Sequence, residues 1–170
     1  ELGEKLLKRL LDDRDTAIAI SFAAGVNVQL TDDSKTYPDR LFYLGGVNNM
    51  RGFQVDEVVP EDIADQILNG EIVIDEVGVR GGDLYVNPRL ELRIPLTEII
   101  GMGLFLDTGN VWSDVGSLGS FADLFKLRYT TGAGIRLNTP LGTAAIDYGF
   151  KLVRREWEDL GALHFSIGLF

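Results

Sequence analysis

Residues 84–95, LYVNPRLELRIP, alternate strictly. Leu84, Val86, Pro88, Leu90, Leu92 and Ile94 fall on one side; Tyr85, Asn87, Arg89, Glu91 and Arg93 fall on the other. A repeat of two is the signature of a β-strand with one oily face and one polar face. The pattern recurs along the chain. In residues 16–30, Ile18, Ile20, Phe22, Val26 and Val28 oppose Ala17, Ala19, Ser21, Gly25 and Asn27. In residues 101–111, Met102, Leu104 and Leu106 oppose Gly103, Phe105, Asp107 and Gly109. Residues 127–138 and 143–153 alternate likewise, and the last strand sets Leu163, Phe165, Ile167 and Leu169 against His164, Ser166 and Gly168. The sequence therefore predicts about six strands of roughly ten residues each. Their connections alternate between long (31–83, 112–126) and short (95–100, 139–142), with a medium one at 154–161.

Alternation by itself fits two architectures. In a soluble sandwich the oily faces meet across two sheets and the charges face solvent. In a membrane barrel the oily face meets lipid and the charges line the lumen. Strand length favours the barrel, because about 9–11 tilted residues cross the hydrocarbon core. Long loops on one rim and short turns on the other favour it too. Tyr85, Trp112, Phe121, Phe125, Trp157 and Phe170 lie near strand ends, as interfacial aromatic girdles do. Leucines at 2, 6, 7, 10 and 11 suit a helix face equally with the tail of another strand. The chain opens at Glu1 without an initiator Met, which reads as a processed chain or a fragment.

Residues 31–83 carry twelve Asp or Glu against four Lys or Arg, a net charge of −8, within a chain of net charge −10. Such a balance disfavours nucleic-acid partners, since little neutralises phosphate. A connection of about 50 residues is uncommon in a compact domain unless it has a function. Pro60–Leu68 has the composition of a short helix, with Pro first and acids in the opening turn. Within the acidic segment, LFYLGGVNNMRGF (41–53) is apolar and glycine-rich and holds one cation, Arg51. It reads as a specific loop tip that delivers Arg51 into a polar barrel interior.

Five stretches, in order, resemble the C-terminal barrel half of the outer-membrane assembly (surface-antigen) family of BamA/TamA type, which shares its fold with two-partner secretion transporters. They are LFYLGGVNNMRGF (41–53), GGDLYVNPRLELRIPL (81–96), LFLDTGNVW (104–112), GAGIRLNTPLG (132–142) and HFSIGLF (164–170). The resemblance implies an all-β fold: an antiparallel transmembrane β-barrel in an outer membrane, of which residues 1–170 supply about six of sixteen strands. It implies that the long loop folds inward with Arg51, Gly52 and Phe53 as its latch, and that Glu91 and Asp107 on the lumen wall receive the Arg. It also implies a lateral seam and C-terminal assembly signal at Leu163, Phe165, Ile167 and Phe170. Two positions depart from the family pattern: Met50 stands where Val or Ile is usual, and the terminal IGLF is one residue short.

The implied function is insertion, assembly or translocation of outer-membrane proteins. It needs no enzyme activity, cofactor or metal. Membrane lipid and unfolded outer-membrane clients are the implied partners, with accessory periplasmic or lipoprotein subunits. A passive barrel anchor or a secretion pore for a separate effector domain is the alternative. The residues themselves offer no competing chemistry. The chain has no cysteine and one histidine, His164. A lone histidine without a cluster is a poor metal or catalytic candidate.

Overall fold

A computed structural model describes residues 16–31, 34–78, 80–140 and 142–168. The segment Leu2–Leu11 and Phe170 lie outside the described residues. One antiparallel sheet of six strands, in chain order, makes up the wall. The strands are β1 (Ala17–Val26), β2 (Leu84–Pro95), β3 (Ile100–Trp112), β4 (Arg128–Thr139), β5 (Gly142–Lys151) and β6 (Gly161–Gly168). Among the described residues the one α-helix, α1 (Glu61–Leu68), lies in the β1–β2 loop and packs against β3. No helix among the described residues is long and apolar enough to cross a membrane, which says nothing of strands.

The alternation settles on the sheet as two unlike faces. Ile20, Leu90, Leu106 and Phe150 share one outward row, and Ile135, Ile146 and Phe165 share another; all are exposed. No second sheet covers them, so the sandwich arrangement is not adopted. The buried apolar cluster lies on the opposite face. It consists of Leu44, Met50, Phe53, Val58 and Val111, with Tyr85 packed against it. Four of these residues belong to the loop. The core is thus made by the loop folding onto the wall.

That burial overturns part of the aromatic expectation. Trp112 is only 2% exposed, and Tyr85 stacks on Phe42 with ring centroids 4.6 Å apart. Tyr85 packs against the loop-built cluster and Trp112 is buried, so neither lies in a lipid-facing girdle. Phe121 and Phe125 are exposed.

Two local features shape the wall. Pro88 lies inside β2 without an N–H to give the ladder. The Asn87 side chain replaces it, donating from Nδ2 to the Thr108 carbonyl at 2.7 Å, while the Thr108 hydroxyl donates to the Pro88 carbonyl at 3.0 Å. The first strand, expected over residues 16–30, ends at Val26. Beyond it the Asn27 N–H donates to the Asp83 carbonyl (2.7 Å), and the Asn27 and Gln29 side chains donate to the Asp83 carboxylate. These bonds carry the pairing one step past Val26 to Asp83, where the returning chain enters β2.

Candidate functional site: the loop tip in the wall

Strand register decides which inward side chains stand side by side. One row is Ser21, Arg89, Asp107, Thr130 and Lys151. The next is Ala19, Glu91, Phe105, Gly132, Gly149 and Ala162. The third is Ala17, Arg93, Gly103, Gly134, Asp147 and His164. The paired glycines of the middle row leave a dent, bordered by carboxylates from the rows on either side. The loop tip fills this dent. A Cβ on Gly149 would stand 2.5 Å from the Gly52 nitrogen. Gly52 has φ +94, in the left-handed region that favours glycine, and its own Cβ would meet the Gly149 backbone at 3.1 Å.

Arg51 enters beside the dent. Its Nε donates to Asp107 Oδ2 at 2.7 Å and its Nη2 to Asp107 Oδ1 at 2.9 Å, a two-pronged pair. The Arg51 backbone N–H adds a third bond to Oδ2 at 3.1 Å. Nη1 donates to Glu91 Oε2 at 2.6 Å and lies 3.7 Å from Asp147 Oδ2. The guanidinium lies over the Phe105 ring, 3.7 Å from its centroid, as a cation–π contact. The Arg51 and Asp107 side chains are 7% and 0% exposed. Burial disfavours the charge on Arg51, but hydrogen bonds and charge from Asp107, then from Glu91, outweigh it and raise its pKa. The guanidinium stays charged.

Glu91 is shared. Besides Arg51 it accepts from Arg93 Nε (3.0 Å) and Arg136 Nη2 (3.3 Å). Arg136 also donates to Asp147 at 2.5 Å. Asp107 differs: every side-chain hydrogen bond its carboxylate receives comes from Arg51.

Phe53 is fully buried, with Lys151 Nζ 4.5 Å and the Arg128 guanidinium 5.3 Å from its ring centroid. Arg128 is held by Glu158 through bonds of 2.9 and 2.7 Å. Lys151 donates to Glu57 at 2.7 Å. Farther along the loop, Glu61 accepts from Asn110 (2.6 Å) and Arg155 (2.7 Å), and Asp62 accepts from both the backbone and hydroxyl of Ser113. The acids of α1 therefore fasten it to the end of β3 and to the β5–β6 connection.

The structure brings Arg51, Gly52, Phe53, Glu91 and Asp107 together. Leu163, Phe165 and Ile167 point outward from β6 and are exposed. Within this sheet β6 pairs only with β5, and β1 only with β2. Sequence reasoning placed Asp147 and His164 on polar faces but did not assign them to the loop tip. His164 Nε2 accepts from the Gly52 N–H at 3.0 Å. The strand register that makes them neighbours of the tip is not written in the spacing of either residue. Among the described residues no group of three or more His, Cys, Asp or Glu is arranged to hold a metal ion.

Comparison with known proteins fits this architecture. Residues 5–170 match the model of the Omp85 superfamily domain. The chain is 23% identical over 155 residues to the outer membrane protein assembly factor BamA of Neisseria meningitidis serogroup B, covering 75% of this chain and 18% of that protein. It is 30% identical over 136 residues to the human sorting and assembly machinery component 50 homolog, covering 72% of this chain and 26% of that protein. The bovine counterpart is 31% identical over 136 residues. The chain thus spans between 18% and 26% of the length of these curated relatives. The crystal structure of BamA from Haemophilus ducreyi lacking POTRA domains 1–3 superposes with a TM-score of 0.64 at 20% identity, covering 91% of this chain and 31% of that one. At that identity the likeness concerns the fold. The six-stranded wall, its inward loop and the family match give one conclusion: this chain belongs to the Omp85 superfamily and forms part of that family's outer-membrane β-barrel.

Proposed function

We propose that this barrel takes part in inserting or translocating proteins at an outer membrane, and that it does so without covalent chemistry. The family membership supports the general role, as do relatives whose names describe assembly of membrane proteins. The clients are unfolded outer-membrane proteins, the medium is lipid, and accessory subunits act from the periplasmic side. The edge of β6 is the seam. An unpaired strand edge offers backbone donors and acceptors to an incoming strand.

The observation that carries this reading is the Arg51 clamp. One buried guanidinium ties the loop to carboxylates on β2, β3 and β5. A tie of that kind holds the curvature of the wall while its edge stays free to pair. The test is Arg51→Ala in a strain depleted of the native protein. The variant is expected in the outer membrane at normal abundance, with client assembly and growth impaired. Normal growth and assembly would overturn the role of the latch in assembly.

A further inference from the structure

His164 is the titratable group of β6 that touches the loop tip. Its Nε2 accepts a hydrogen bond from the Gly52 N–H at 3.0 Å, so this nitrogen carries no proton and the neutral ring keeps its proton on Nδ1. No other hydrogen bond among the described residues joins β6 to residues 41–60. Gly52 is closely packed on the wall: a Cβ added at Gly149 would stand 2.5 Å from its nitrogen. The charged groups acting on the imidazole are Asp147 on β5, Arg51 on the loop and Asp107 on β3. All three are already engaged: Arg51 with Asp107 and Glu91, and Asp147 with Arg136.

We infer that His164 is a positioning residue joining the edge strand β6 to the loop tip, and that it grips only while its imidazole is neutral. This deepens the latch reading and rests on it. Protonation would put an N–H on Nε2 facing the N–H of Gly52, two donors at hydrogen-bond distance. The Gly52 N–H, buried in the dent, would then lack an acceptor, which is unfavourable. The sign follows directly. The grip is fully present above the ordinary imidazole pKa of about 6.5 and weakens progressively as pH falls below it. Acid thereby uncouples the seam strand from the latch while Arg51 remains charged.

The test uses the intact barrel in lipid bilayers, with hydrogen exchange of residues 46–53 corrected for intrinsic rates at pH 8 and pH 5. The wild type is expected to lose up to about thirtyfold in protection at pH 5, tenfold for each pH unit below about 6.5. His164→Gln places an untitratable carbonyl oxygen at similar reach and is expected to keep protection at both pH values. His164→Ala is expected to lose it at both. Ring ¹⁵N signals absent from the Gln variant identify His164, and at pH 8 they are expected to show an unprotonated Nε2. Unchanged wild-type protection at pH 5 overturns the inference. So does a His164→Gln variant that responds like wild type, since the response would then belong to the carboxylates. Exchange reads loop retention, not client assembly. If Arg51→Ala assembles clients normally while the His164 response stands, only the assembly reading fails.

Discussion

The long loop meets the wall at two places, and the signs of charge are reversed between them. At the tip a loop cation, Arg51, sinks among wall carboxylates. At the rim, loop acids Glu57 and Glu61 receive the cations Lys151 at the end of β5 and Arg155 of the β5–β6 connection. The tip is chemically concentrated: one side chain touches three strands. The rim is distributed over Glu57, Glu61 and Asp62, each with its own partners. A concentrated anchor fails all at once, whereas a distributed one loosens by degrees. The acidic balance of the loop, which in sequence reads as solvation, is at these three positions a set of attachments.

That contrast can be broken in order of size. Arg51→Ala should have the largest effect, about 3–5 kcal/mol in the unfolding free energy of the bilayer-inserted barrel, because it strips buried Asp107 of its counter-charge and of both guanidinium hydrogen bonds. Urea titration followed by tryptophan fluorescence measures it; a loss under about 1 kcal/mol would show that the tip is not the dominant anchor. Gly149→Ala comes next. Its methyl group would meet the Gly52 backbone, so the tip should be displaced and exchange of residues 46–53 should rise at least tenfold with the strands still protected. Glu57→Gln should cost about 1–2 kcal/mol, as a part-buried charged hydrogen bond does, and should free the rim without freeing the tip. Exchange rising equally at both anchors would erase the distinction drawn between them. Arg93→Ala should matter least, within about 0.5 kcal/mol, because its side chain is 62% exposed and Glu91 keeps Arg51 and Arg136.

Much of the wall was legible in the sequence because the period of two is enforced by the environment on each face. Leu84–Pro95 needed no other information. Glu91 and Asp107 were legible as inward residues of adjacent strands, and the family resemblance joined them to Arg51. Asp147 was legible only as an inward charge. Its place near Arg51 depends on the pairing of β3 with β4 and of β4 with β5, and no local pattern encodes that sum of registers. Trp112 misled for a related reason. Its position near a strand end suits an interface, yet the Trp is almost fully buried. His164 opens the HFSIGLF stretch, but its place at the loop tip follows only from the backbone N–H it faces.

Glu91 and Asp107 would fare differently if the loop swung out. Glu91 would keep two guanidiniums and rest easily in a vacated lumen. Asp107 would be stripped of all three side-chain hydrogen bonds and left bare beside the hollow. Departure is therefore self-opposing: a single abandoned anion draws the cation home, and the barrel resets without any external reservoir of energy.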